Sequence, residues 1–176
     1  MLKVSTKSEE FTDIEPGVYH GTCIWVLDLG KQPGFNQGEF TRQIFINWEI
    51  EVQGKRETIG SFYTLSFGAK ANLGKMLRGW LGKLPDELDL HALIGRPCMV
   101  HVVMNDNERP KILSVMPGQG IEASKETYTE ADALALPDFF QKKIEEGIAN
   151  AARAGAPYHP PAKPVLDDEI PFGGGQ

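Results

Sequence analysis

The sequence has few cysteines and no long apolar run. Cys23 and Cys98 are the only two among 176 residues, and their spacing matches no metal or redox motif. No stretch approaches the roughly 20 apolar residues that a membrane helix needs, and the first residues lack the apolar segment of a secretory signal. These absences argue against a disulfide-stabilised scaffold and a helical membrane protein, and we expect an intracellular protein with buried thiols.

The chain also lacks the residue patterns of enzymes and metal sites. Its four histidines are scattered, with no pair at the i to i+4 spacing of metal ligands. Neither a glycine-rich phosphate loop after a strand nor a Gly-x-Ser-x-Gly turn occurs. We therefore expect a binding protein without catalytic activity, cofactor or metal.

An excess of basic charge is missing as well. The net charge is −6, and it is unevenly distributed. Residues 1–120 carry 13 Lys and Arg against 14 Asp and Glu, a net of −1, whereas residues 121–176 carry 5 against 10, a net of −5. Most of the acidity therefore belongs to the C-terminal part, and the body neither excludes nucleic-acid binding nor has a strong basic footprint for it.

What the chain does have is strand chemistry over its first half. Residues 16–29 are rich in β-branched and aromatic residues, and residues 30–38 form a loop with glycine and proline. Residues 40–52 alternate, with Ile44, Ile46 and Trp48 on one face and Phe45 and Glu49 on the other. A turn at residues 53–55 then predicts a third strand over residues 56–67.

The period then changes from strand to helix and back. Residues 69–81 have the apolar spacing of an amphipathic helix, and a second short helix is predicted within residues 85–94. Strands four and five are predicted at 97–104 and 110–116. Three strands, a helix and two strands are the element order of the five-stranded Greek-key barrel called the OB-fold, although an SH3-like barrel or a sandwich has similar elements.

The predicted organisation is a mainly β body with a C-terminal extension. We expect an N-terminal arm over residues 1–15 and the OB-fold-like domain over residues 16–120. Residues 121–153 read as an acidic linker followed by an amphipathic helix, and residues 154–176 as a flexible tail rich in proline and glycine. We expect the helix to pack on the barrel or on a second subunit, and in the second case the protein would form a homo-oligomer. The alternative is that the helix binds a partner protein.

One face of the second and third strands suggests a nucleic-acid interface. Phe45 and Phe62 are predicted to point away from the core on neighbouring strands, where aromatic rings stack bases while nearby cations bind phosphates. The alternative is that the arm or the C-terminal helix covers them, and Glu49 and Glu51 on the same face are read as a solvated edge. The candidate nucleic-acid-binding residues are Lys31, Phe35, Arg42, Phe45, Lys55, Arg56, Phe62, Arg109 and Lys111.

The far end of the chain carries a short linear motif. Three acidic residues run directly into Ile-Pro-Phe, a pattern suited to an apolar pocket with a basic rim. The candidate partner-binding residues are Asp167, Asp168, Glu169, Ile170, Pro171 and Phe172. This acidic tip resembles the C-terminal tip of bacterial and phage single-stranded DNA-binding proteins, in which the phenylalanine is the last residue, whereas four further residues follow Phe172 here.

The resemblance implies a function for the whole chain. It implies an OB-fold body that coats single-stranded DNA during replication or recombination, and a tail that recruits replication, recombination and repair proteins. It further implies a phage or prophage origin and a location in the cytoplasm of a bacterial host. The alternative is an OB-fold interaction module of a replication or recombination complex that binds no nucleic acid.

Overall fold

The computed structural model describes residues 14–154, so the predicted N-terminal arm, except its end, and the acidic tip lie outside the described residues. Five long strands and two helices are found, with a short sixth strand and two 3-10 turns. In chain order they are β1 Gly17–Pro33, β2 Phe40–Val52, β3 Lys55–Thr64, α1 Asn72–Leu81, the turn Leu90–Leu93, β4 Pro97–Met104, β5 Pro110–Met116, β6 Tyr128–Thr129, the turn Glu130–Ala135 and α2 Asp138–Arg153.

The predicted element order is confirmed, with α1 between the third and fourth strands and α2 near the C-terminal end. The short second helix predicted within residues 85–94 is found as a single turn of 3-10 helix, Leu90–Leu93, which is shorter than the predicted range. The Asp89 side chain accepts a hydrogen bond from the His91 N–H at 3.0 Å and begins this turn. The backbone of Ile94 is extended, so the helical turn ends before this residue.

The five long strands form one antiparallel sheet in the order β3-β2-β1-β4-β5, and β6 adds a parallel pair beside β1. The long strand β1 pairs with two strands. Residues 17–22 pair with β4, and residues from 21 onward pair with β2. Register shifts in β1 lie between Cys23 and Trp25 and between Asp28 and Lys31. Within residues 14–154, β3 and β5 share no ladder, so the sheet is open between them.

The inner face of the sheet holds the main core. Ile46, Trp48 and Ile50 of β2 are completely buried there, as the alternation of the sequence predicts. Helix α1 packs on this face with Leu73 and Leu77, and hydrophobic burial of such side chains contributes about 1.5–3 kcal/mol each. The sheet and α1 therefore form one core.

The outer face holds a second, smaller core under α2. This cluster contains Leu27, Leu29, Phe45 and Leu136, and Trp25, Tyr128, Phe140 and Ile144 pack around it. The helix comes very close to β1, since a side-chain carbon at Gly147 would lie only 1.9 Å from the Leu29 carbonyl oxygen. Only glycine allows this approach, and it places the helix directly on the strand.

Hydrogen bonds hold α2 at the same place. The Gln32 side chain donates to the carbonyl oxygens of Leu29 and Lys143 at 2.7 Å each, and the Asn150 amide donates to the Lys31 carbonyl at 2.9 Å. The predicted apolar stripe of the helix packs on the sheet only in part. Phe140 and Ile144 are in the outer core, but Ile148 is exposed, because Gly147 takes the position nearest to β1.

Residues 121–129 lie along the outer face of β1 and β2. The Trp25 indole donates to the Glu126 carbonyl at 3.1 Å, and the Thr22 hydroxyl donates to the Ile121 carbonyl. Glu49 is completely buried, and it accepts from the backbone N–H groups of Ser124 and Lys125 at 2.9 and 3.1 Å and from the Ser124 hydroxyl. The interpretation of Glu49 as a solvated edge residue is therefore wrong.

No helix among residues 14–154 is long and apolar enough to cross a membrane.

Candidate nucleic-acid interface

The two aromatic residues predicted to form a platform are direct neighbours. Phe45 of β2 and Phe62 of β3 face each other in the antiparallel ladder, and their ring centroids are 4.8 Å apart. They lie on the face opposite to Trp48, because successive side chains of a strand point to opposite sides. The predicted juxtaposition is therefore found.

Only one of the two rings is accessible. Phe62 is 47% exposed, whereas Phe45 is 8% exposed, because the Phe140 ring of α2 lies 4.6 Å from it. On its other side the Phe45 ring lies over Gly60, where an added side-chain carbon would be 2.2 Å from the ring. The expectation that Phe45 points into solvent is wrong, since the C-terminal helix takes the place that a base would need.

Helix α2 supplies a second open ring that the sequence reasoning missed. Phe139, at 56% exposure, lies edge-on to Phe62 with the centroids 6.3 Å apart. The Lys143 amine lies 6.0 Å from the centre of the Phe139 ring, within the range of a cation–π contact. We call Phe62, Phe139 and Lys143 the open surface. The available signal was the Phe-Phe pair itself, because adjacent residues on a helix point about 100° apart and only one of them can face the sheet.

The loop between β1 and β2 carries a third exposed ring. Phe35 is fully exposed at its tip. The loop is closed by a Gly34 N–H donating to the Glu39 carbonyl at 2.8 Å and by the Asn36 amide donating to the Glu39 carboxylate at 2.9 Å. Lys31 is exposed at the base of this loop, opposite Arg42 in the ladder. The sequence predicts a loop over residues 30–38, but β1 continues to Pro33, so Phe35 lies on the loop whereas Lys31 lies in the strand.

Arg42 is engaged within the protein. The Arg42 Nε donates to Oδ1 and Oδ2 of Asp28 at 3.3 and 3.1 Å. The Arg42 Nη2 also donates to Asp28 Oδ2. Burial acts to raise the pKa of the Asp28 carboxyl, but the hydrogen bonds from Arg42 and the Gly30 N–H outweigh it, and the pKa lies below its ordinary value. A phosphate that approaches Arg42 therefore meets a charge that Asp28 already neutralises.

The two cations of the hairpin lie at the opposite end of β2 from Phe35. Lys55 pairs with Val52 beside the turn and is exposed. Arg56 donates to the Glu122 carbonyl at 3.2 Å, so its guanidinium holds the segment that crosses the outer face. The structure does not bring this pair together with Lys31 and Phe35.

The last two predicted cations lie near the turn between β4 and β5. Arg109 is exposed, and its backbone N–H donates to the Asn105 side chain at 2.9 Å. Lys111 lies on β5 and, with Phe62 of β3, lines a cleft of about 520 Å³ between these two strands. We call this the β3–β5 cleft. The predicted cation Lys111 thus shares a concave surface with Phe62.

The described residues contain no group of three or more histidine, cysteine or acidic side chains arranged to hold a metal ion. The six residues of the acidic tip, Asp167 to Phe172, lie outside the part of the chain that the structure describes. Comparisons with protein-family models, with curated proteins and with solved structures found no match.

Proposed function

We propose that this protein coats single-stranded DNA during replication or recombination and recruits partner proteins through its acidic tail. The observation that carries the proposal is the open surface, in which two half-exposed aromatic rings from β3 and α2 lie side by side with a lysine over one of them. Rings of this kind offer bases a stacking surface without sequence preference, worth roughly 1–3 kcal/mol per base. The chain acts by binding, without turnover.

The sheet supports the proposal through its architecture. We propose that it is an OB-type Greek-key barrel, since its strand order and the position of α1 fit that fold. In OB-folds the second and third strands commonly carry the oligonucleotide. Here α2 covers β2 and contributes Phe139 instead, so the proposed interface runs from β3 onto α2.

The acidic tip supports the second half of the proposal. Its resemblance to the tips of bacterial and phage single-stranded DNA-binding proteins suggests that Asp167 to Phe172 recruit replication, recombination or repair proteins of a bacterial host, and it suggests a phage or prophage origin. The phenylalanine ring is the largest anchor of the motif, and binding energy concentrates in such groups. Phe172→Ala should therefore remove most binding to purified host proteins of this class. Equal binding by the variant and the unmodified chain would remove this half of the proposal.

Binding of a fluorescent oligothymidine tests the first half. The full chain should bind tightly, and the affinity should fall as salt is raised, because phosphate contacts release counterions. Phe62→Ala and Phe139→Ala should each weaken binding by roughly 1–3 kcal/mol with a nearly unchanged melting temperature. Phe67→Ala is the matched control, since Phe67 is a similarly exposed phenylalanine that lines other pockets.

Three other results would contradict the proposal. No binding of the oligothymidine at low salt would favour an interaction module without nucleic-acid binding. Cleavage of the strand in the presence of magnesium would indicate an enzyme. An effect of Phe67→Ala as large as that of Phe62→Ala would mean that exposed rings in general, and not the open surface, are responsible.

A further inference from the structure

The β3–β5 cleft is a solvent-exposed concave surface beside the open surface. It lies where the sheet is open, and α1 forms one of its walls through Asn72, Lys75, Met76 and Gly79. Its volume of about 520 Å³ is within the range of pockets that hold small ligands. Among residues 14–154, each of the flanking strands is hydrogen-bonded to a neighbouring strand on one side only, so each presents an unpaired edge to the cleft.

The charge of the cleft is positive and unopposed. Lys75 of α1 and Lys111 of β5 line it, and both are exposed. No aspartate or glutamate lines the cleft, and neither lysine pairs with a carboxylate anywhere in residues 14–154. An anion in the cleft meets two free ammonium groups and no competing acid.

The cleft is continuous with the open surface. Phe62 lines the cleft, and its ring centroid lies 6.3 Å from that of Phe139, so Phe62 belongs to both features. On the other side of the cleft mouth, Leu113 of β5 is largely exposed and adds an apolar surface. An aromatic ring at the rim, an apolar wall and two cations inside match the alternating bases and phosphates of a single strand.

We propose that single-stranded nucleic acid continues from the open surface into the β3–β5 cleft, where Lys75 and Lys111 bind consecutive or nearby phosphates. This inference rests on the proposed function and adds the path of the strand. The nucleic acid crosses β3 towards β5 and does not run along β1 and β2, where α2 and residues 121–129 cover the outer face. Arg42 of β2 is already neutralised by Asp28. Lys75 is a contact on this path that the sequence reasoning did not include.

The salt dependence of oligothymidine binding tests the path. For single strands, the slope of log affinity against log salt changes by about 0.7 for each phosphate contact. The double variant Lys75→Gln/Lys111→Gln should therefore flatten the slope by about 1.4, so that the affinity lost between 50 and 200 mM salt shrinks roughly sevenfold. Both side chains are exposed, and substitutions of exposed residues usually change stability little, so the melting temperature should stay close to that of the unmodified chain.

Two controls match this variant. Lys83→Gln/Lys125→Gln removes the same charge from exposed lysines outside the cleft, and Arg42→Gln removes a cation that is paired with Asp28 and does not line the cleft. Both should change the slope much less. If either control flattens it as much as the cleft variant, the path is wrong while single-strand binding stands.

The remaining outcomes separate the two proposals. An unchanged slope in the cleft variant, with tight binding by the unmodified chain, overturns the path alone. If the cleft variant binds oligothymidine normally but loses binding to a protein partner, the cleft holds a peptide at its strand edges and the path is again overturned. If the unmodified chain binds no oligonucleotide, the path and the proposed function fail together.

Discussion

The outer face of the sheet has a covered half and an open half. On the covered half, over β1 and β2, Phe45, Asn47 and Glu49 lie beneath residues 121–147 and are almost inaccessible. On the open half, over β3 and towards β5, Phe62 and Leu113 are exposed. Phe45 and Phe62 are the same residue type and pair in the same ladder, so their different exposure is decided by where the C-terminal segment packs.

The contacts of the covered half explain why the C-terminal segment lies there. Gly147 allows the closest approach of α2 to β1, and the buried Gln32 side chain bridges the two backbones. Glu49 holds residues 121–129 in place by accepting three hydrogen bonds from Ser124 and Lys125. Over β3 the only ring contacts from α2 are those of Phe139 and Phe140, so this half remains available to a ligand.

Among the substitutions that distinguish the two halves, truncation of Phe45 should have the largest effect on the free energy of unfolding. Phe45→Ala removes a ring from the outer core and should lower the free energy of unfolding by about 3 kcal/mol or more. Its neighbour provides the control, since Phe62→Ala removes an equally large ring from the open half and should leave the stability nearly unchanged. Urea unfolding of the two variants measures this difference.

The reverse pattern would be informative. If Phe45→Ala unfolds at the same urea concentration as the unmodified chain but binds oligothymidine more weakly, then α2 leaves the covered half when nucleic acid binds. Phe45 would then be part of the platform, as the strand alternation predicts, and the division into two halves would hold only for the free protein.

The sheet itself was accessible from the sequence. Strand alternation placed Ile46 and Trp48 in the core and Phe45 on the opposite face, and the change from period 2 to a helical period located α1. These features are local, since they follow from the geometry of one strand or helix. The strand pairing between β2 and β3 followed from the short turn at Gln53 and Gly54.

The candidate site was only partly accessible, because its exposure depends on contacts between distant residues. Glu49 and Ser124 are 75 residues apart, and nothing in the strand pattern announces their hydrogen bond. The burial of Phe45 by Phe140 is of the same kind. Lys75 lies within the helix predicted over residues 69–81, but that helical pattern does not reveal that Lys75 and Lys111 line one cleft, since this depends on how α1 packs at the open edge of the sheet.

A smaller effect, with a defined pH dependence, is expected at Glu49. Burial acts to raise the pKa of its carboxyl, but the hydrogen bonds from Ser124 and Lys125 outweigh it, and the pKa lies below its ordinary value of 4.5. Hydrogen bonds to a charged group contribute about 1.5–3 kcal/mol. Glu49→Gln should therefore lower the free energy of unfolding by about 2 kcal/mol at pH 7, as measured by urea unfolding.

Glu51→Gln is the matched control for this prediction, because Glu51 lies on the same face of the same strand and is exposed. It should change the stability by less than about 0.5 kcal/mol. A carboxyl whose pKa is lowered by folding stabilises the protein fully above its unfolded pKa, and this contribution is lost as the pH falls through the folded pKa. The difference between the unmodified chain and Glu49→Gln should therefore be constant down to about pH 5 and shrink below pH 4.5, whereas that of Glu51→Gln stays small throughout. A Glu49→Gln difference that persists unchanged at pH 3 would show that the charge of Glu49 does not hold residues 121–129, and the covered half would then depend on α2 alone.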